Sequence, residues 1–123
     1  MSFDVHLLQA GDNGSDPTNA TLDSLRPYLV AGEMRLATAD GGAEVYGLET
    51  RPIKSVMFTH VDGHAAWDVI YSAAVAGSWA VVPVGGDTCI VDPRHALELP
   101  AELVAGGFVL VTSGEELRVA ATA

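Results

Sequence analysis

Short runs of apolar and β-branched residues, each bounded by turn residues, recur along this chain and predict seven strands. They are Phe3 to Leu8, Glu33 to Thr38, Ala43 to Leu48, Lys54 to His60, Trp79 to Val84, Thr88 to Asp92 and Phe108 to Thr112. Two of the connections contain glycine pairs, Gly41-Gly42 and Gly85-Gly86, and glycine supplies the positive φ that tight turns need. The pattern therefore predicts two β-hairpins.

The longest apolar segment predicts a helix of about four turns from Asp62, a good N-cap residue, to Gly77, a good C-terminal residue. Three polar positions lie four residues apart and therefore form one narrow stripe: His64, Asp68 and Ser72. Five apolar side chains must all be buried: Ala66, Trp67, Ile70, Ala73 and Ala74. We expect this helix to be the central element of the core.

Sequence patterns typical of shorter helices lie before and after this long apolar segment. Leucines recur at helical spacing at Leu22, Leu25 and Leu29, and Pro27, which lacks a backbone donor, predicts that this helix ends near Arg26. Leu97 to Val104 predicts a short helical or irregular crossover through Pro100. Ser113 and Glu116 have the spacing of a capping box and open a C-terminal helix. Gly11 to Thr18 has the composition of a loop.

This order of elements predicts the fold class. Hairpins require antiparallel neighbours, whereas a strand, a helix and a further strand in succession can form a parallel pair. We predict a two-layer α+β domain with a mixed or mainly antiparallel sheet, one long central helix and two or three shorter helices packed on it. At 123 residues the whole chain, residues 1–123, is expected to form one domain.

The overall apolarity of the chain bears on association. Hydrophobic residues make up 49% of the sequence, which is high for a monomer of this size and indicates a partner surface or a homodimer. The uncharged run from Val69 to Gly86 approaches the length of a membrane span, but Gly77-Ser78 and Pro83 interrupt it. We predict no transmembrane segment and no membrane partner.

Charge narrows the choice of partners. Sixteen acidic residues against six basic ones give a formal net charge of -10. The field of such a protein opposes approach to nucleic-acid phosphates and to anionic membranes, so we expect no nucleic-acid partner. A surface of this kind attracts basic proteins, although scattered acids also serve general solubility.

A few residues indicate the cellular compartment and the source of this protein. Cys89 is the single cysteine and cannot form an internal disulfide, and the segment from Met1 to Asp4 lacks the features of a signal peptide. We therefore expect a cytoplasmic protein. The preference for arginine over lysine is typical of GC-rich coding and favours a bacterial source.

The densest cluster of titratable side chains is a candidate metal site formed by His60, Asp62, His64 and Asp68. Imidazole nitrogen and carboxylate oxygen suit zinc, manganese or ferrous iron, and Gly63 could let the chain turn tightly enough for the histidines to converge. The structural alternative explains each residue separately. Asp62 would cap the helix, His64 and Asp68 would form an exposed pair, and His60 would end a strand.

Two further signals have simple structural explanations. Cys89 could act as a nucleophile with His95 or His60, but a lone cysteine in an apolar strand is typically a small buried side chain. Trp67, Tyr71 and Trp79 could line an apolar ligand pocket, although core packing is their usual role.

Two functions from different classes remain open. The first is a non-enzymatic protein-binding module, inhibitor- or immunity-like, that occupies a basic surface on another protein and needs no cofactor. The second is a small metal-dependent enzyme or ligand-binding domain that uses the cluster of His60, Asp62, His64 and Asp68.

Overall fold

The computed structural model describes residues 3–10, 16–104 and 106–122 of the chain. Residues 11–15 of the predicted loop lie outside the described residues, as do Met1 and Ser2. The strands are β1 (Phe3–Gln9), β2 (Arg35–Thr38), β3 (Gly41–Tyr46), β4 (Ser55–Asp62), β5 (Trp79–Pro83), β6 (Thr88–Ile90) and β7 (Phe108–Leu110). The α-helices are α1 (Thr18–Leu25), α2 (His64–Gly77), α3 (Ala101–Val104) and α4 (Gly114–Thr122).

The strands form one mixed sheet in the order β2-β3-β4-β1-β5-β6-β7. Every neighbouring pair is antiparallel except β6 and β7, which run parallel and are joined by the crossover that contains α3. Helix α2 packs against α1, α4 and the sheet. The predicted α+β class, with a mixed sheet and one long helix, is confirmed.

Helix α2 is the core element that its apolar sequence predicts. Its 14 residues include six that are buried: Ala66, Trp67, Val69, Ile70, Ala73 and Ala74. The predicted polar stripe of His64, Asp68 and Ser72 is exposed. Because the helix is apolar on most of its surface, it can be covered by α1, α4 and the sheet at once.

The N-terminus of α2 differs from the prediction. The helix begins at His64, and Gly63 occupies the N-cap position with a φ of 83°. The carboxylate of Asp40, in the turn between β2 and β3, accepts hydrogen bonds from the amides of His64 at 2.8 Å and Ala65 at 3.2 Å. Asp40 therefore caps this helix from a distant part of the chain, and the expectation that Asp62 does so is wrong.

The C-terminus of α2 also has a different explanation. Ser78, not Gly77, adopts the left-handed conformation, with a φ of 57°. A Cβ on Gly77 would collide with the side chains of Trp79 and Thr21, so glycine is required there by close packing.

The sheet has one face covered by helices and one largely open face. The register pairs Val5 with Phe58 and Leu7 with Val81, and all four side chains are buried against the helices. Alternate residues point the other way, so the opposite face carries a second set of side chains. On β1, β3 and β4 these are half-buried or exposed, whereas Ala80 of β5 and Ile90 of β6 are buried on this face as well. This set includes Glu44, Tyr46, Thr59, His6, Leu8, Met57 and Val82.

No helix among the described residues has the length and apolar character needed to cross a membrane.

Candidate functional site

The four residues of the predicted metal cluster lie on two elements. His60 and Asp62 belong to the last part of β4, and His64 and Asp68 lie on the exposed side of α2. His60 and Asp62 border one shallow cleft with β2 and β3, whereas Asp62 and His64 border another beside Trp67 and Arg118. Asp68 borders neither of these two clefts and lies against Gly114 at the start of α4.

Each histidine of the cluster pairs with an acid outside the predicted cluster. His60 Nδ1 lies 3.2 Å from Glu44 Oε1, and His64 Nδ1 lies 3.9 Å from Glu115 Oε2. Within residues 3–10, 16–104 and 106–122, no group of three or more His, Cys, Asp or Glu side chains could hold a metal ion. Metal binding by His60, Asp62, His64 and Asp68 stays a hypothesis that the arrangement of these side chains does not strengthen.

His60 nevertheless has an unusual backbone. It is the extra residue of a β-bulge, because the register of β4 shifts at this point against both β1 and β3. Its φ of 53° is uncommon for a residue with a side chain. The Asp4 carboxylate accepts the His60 amide at 3.1 Å and so satisfies the donor that the bulge turns out of the sheet.

Glu44 is the centre of a polar group beside this bulge. Its Oε2 accepts hydrogen bonds from the Tyr46 hydroxyl at 2.7 Å and from the Thr59 hydroxyl at 3.2 Å. These bonds, the Tyr46 bond foremost, hold the pKa of Glu44 below its ordinary value. The His60 side chain is 65% exposed and Glu44 is 42% exposed, so water can reach the pair. The arrangement holds the Glu44 carboxylate but does not provide the desolvated setting of an acid–base site.

Core packing explains the other two candidate signals in the sequence, which are the lone cysteine and the tryptophans. Cys89 is fully buried in β6, and burial raises the pKa of its thiol to about 11, which disfavours a nucleophilic thiolate at neutral pH. Trp67 and Trp79 are buried in the core, where the Trp79 indole donates a hydrogen bond to the Thr21 hydroxyl at 2.9 Å.

The two edges of the sheet are built differently. Beyond β2, Leu29 forms a bridge with Leu36, and the Val30 amide donates a hydrogen bond to the Arg35 carbonyl at 2.9 Å. That edge is covered by the chain itself and also carries the charged Arg35. The β7 edge pairs only with β6 among the described strands. Its residues, Phe108, Val109 and Leu110, are apolar and 38–44% exposed.

A cleft of about 330 Å³ lies between this open edge and α4, and we call it the β7–α4 groove. Its lining consists of Val109, Leu110, Val111, Glu115, Glu116, Val119 and Ala120. Five of these seven residues are apolar, and Val119 is 53% exposed. An open apolar strand edge is a template for pairing with another chain, and exposed apolar surface beside it adds contact area for such a chain.

Local hydrogen bonds fix the acidic end of the groove. The Ser113 hydroxyl accepts the Glu116 amide at 3.1 Å, as a capping box predicts. The Glu116 carboxylate, however, binds Thr112 rather than Ser113, accepting its amide at 2.8 Å and its hydroxyl at 2.9 Å. Glu115 pairs with Arg118, whose hydrogen bonds hold the pKa of Glu115 below its ordinary value.

Close packing sets the position of α4. Gly114 is buried, and a Cβ there would collide with Asp68 on α2. Glycine thus lets the first turn of α4 lie directly against α2, and this contact places Val119 and Glu116 beside β7.

The β7–α4 groove was not predicted from the sequence, although both elements that form it were. The available signal was the apolar run from Phe108 to Val111, three residues before the acidic pair Glu115-Glu116. Its interpretation required the strand order, because only at the edge of the sheet does such a strand expose its backbone.

Comparison of this chain with protein-family models, with curated proteins and with solved structures finds no match.

Proposed function

We propose that this protein is a non-enzymatic protein-binding module, inhibitor- or immunity-like, that recognises a basic partner through the β7–α4 groove. The observation that carries the proposal is the open β7 edge, where three exposed apolar residues adjoin a groove bordered by two carboxylates. The apolar surface supplies contact area, and the carboxylate of Glu116, which lacks an ion-pair partner among the described residues, selects the charge of the partner.

Charge decides which kind of partner fits the groove. Glu116 has no basic side chain within salt-bridge distance among the described residues, so its negative charge is uncompensated there. The whole chain carries a formal charge of -10, which adds a long-range attraction for cations. The same charge opposes contact between two copies of this chain, so we favour a basic partner over the homodimer.

A pair of matched variants tests the proposal. Val119 on α4 and Val75 on α2 are both exposed helix valines, at 53% and 51%, and only Val119 lines the groove. We expect a tagged protein to capture a basic protein from the lysate of its own cells. Val119→Lys should lose that partner because it places a positive charge in the groove, whereas Val75→Lys should retain it.

Mass spectrometry identifies the captured protein, and circular dichroism establishes that both variants are folded. Capture of a basic partner that is equally reduced by both substitutions, or by neither, would show that the groove is not the binding surface. Reproducible capture of an acidic protein alone would contradict the proposed charge preference.

A further inference from the structure

The β7 edge has the geometry to accept an additional strand. Alternate residues of a strand direct their backbone groups to the same side. The Val111 amide donates a hydrogen bond to the Ile90 carbonyl of β6 at 2.9 Å. The backbone N–H and C=O groups of Val109 and Val111 are therefore directed toward β6. Phe108 and Leu110 therefore direct their N–H and C=O groups away from the sheet, toward the open edge.

The open edge ends at a defined point. The next outward-directed amide is that of Thr112, and the Glu116 carboxylate already accepts it at 2.8 Å. An incoming strand can thus pair with Phe108 and Leu110 but not beyond them. Two residues of backbone pairing give little affinity alone, so side chains of the incoming segment must supply the rest.

The register defines which side chains fit. Val109 lies opposite Cys89, and Cys89 lies opposite Val81 in the core, so Val109 faces the helix layer and Val119. Side chains of an incoming strand also alternate between the two faces. On the helix side, an apolar side chain would contact Val109 and Val119, and a basic one could reach Glu115 and Glu116.

We infer that the β7 edge binds an extended segment of a basic partner as an eighth strand, with apolar residues in the β7–α4 groove and a basic residue at Glu116. This inference rests on the proposed function and specifies its binding mode. The occupant is a basic segment rather than a second copy, because a second copy would bring its own Glu115 and Glu116, and a further charge of -10, to the same edge.

A synthetic peptide tests the binding mode without knowledge of the natural partner. The probe is the blocked heptapeptide Lys-Val-Thr-Val-Thr-Lys-Lys, added to isotope-labelled full-length protein. We expect amide shifts in NMR spectra at residues 108–112 and 119, and slower hydrogen exchange at Phe108 and Leu110.

Two methylated peptides provide the matched control. One is N-methylated at its two valines and the other at its two threonines, which blocks opposite edges of the extended peptide. Since only one edge can face β7, one methylated peptide should bind at least about tenfold more weakly than the parent and the other should bind like it.

The outcomes separate this inference from the proposed function. Equal binding of both methylated peptides would overturn strand addition and leave recognition of a basic segment intact. Equal binding of a peptide with glutamate in place of lysine would overturn the charge preference itself. Absence of shifts at residues 108–112, or protection of Phe108 and Leu110 by self-association without peptide, would also overturn the inference.

Discussion

Asp40 shows how a single carboxylate joins two parts of this fold. It lies in the turn between β2 and β3, yet it caps α2 by accepting the amides of His64 and Ala65. These bonds, the His64 bond foremost, hold the pKa of Asp40 below its ordinary value. The negative charge also lies at the N-terminus of the helix, where the dipole favours it.

We expect Asp40→Ala to lower the thermal midpoint of unfolding, and the loss to depend on pH. Because the folded pKa of Asp40 is depressed, its contribution to stability is present above about pH 4 and is lost as the pH falls through the folded pKa. Thermal melts of wild type and variant between about pH 2 and pH 7 should therefore converge at the acidic end. A difference between the two proteins that is constant across this range would contradict the capping role.

Sequence reasoning could not find this cap, because Asp40 precedes His64 by 24 positions and local spacing carries no information about that contact. Asp62, which directly precedes Gly63, fits the local capping pattern and was predicted for that reason. The same limitation applied to His60 and Glu44, which meet only because β3 and β4 are neighbours.

The helices and strands could be predicted from the sequence much better than these single long-range contacts. The period of apolar residues identified α2, and turn residues separated the strands, since both signals are local. Gly41 and Gly42, predicted in the first hairpin turn, are instead the first residues of β3, and neither has a positive φ. The predicted C-terminal helix also begins at its capping serine. The parallel pairing of β7 with β6 was not fixed in advance, because pairing between distant strands depends on the topology of the whole sheet.

Helix α2 provides the sharpest test of the core. Ile70 is fully buried and Ser72 is exposed on the same helix. We expect Ile70→Asp to prevent folding, since an unpaired buried carboxylate costs several kcal/mol against a typical total stability of about 5 to 15 kcal/mol. Ser72→Asp should leave the protein folded, as judged by circular dichroism and urea denaturation. A stable, soluble Ile70→Asp protein with an unchanged midpoint would refute the placement of α2.

At the scale of the whole molecule, the metal hypothesis and the binding module make different predictions. His60 and His64 pair with separate acids on β3 and α4. On the binding-module account, protein purified without an affinity tag has the same metal content as its His60→Ala, His64→Ala double variant. Stoichiometric zinc, manganese or iron that disappears in the double variant would instead support the enzyme or ligand-binding alternative.

The two edges of the sheet differ in their charge and in their exposed apolar surface. One sheet edge is covered by residues of the chain itself, whereas the other combines an unpaired apolar strand with an acidic helix turn. On a molecule with a net charge of -10, such an edge is suited to a basic partner. Encounter with that partner should be accelerated by long-range attraction.

The salt dependence of association tests this central claim most directly. The association rate constant of the captured partner should fall steeply with added salt, because the screening length shrinks from ~10 Å at 0.1 M to ~3 Å at 1 M. Val75→Lys should keep a steep dependence, and Val119→Lys should associate more slowly at low salt. An association rate that does not change with salt would contradict the account that charge steers a basic partner to the β7–α4 groove.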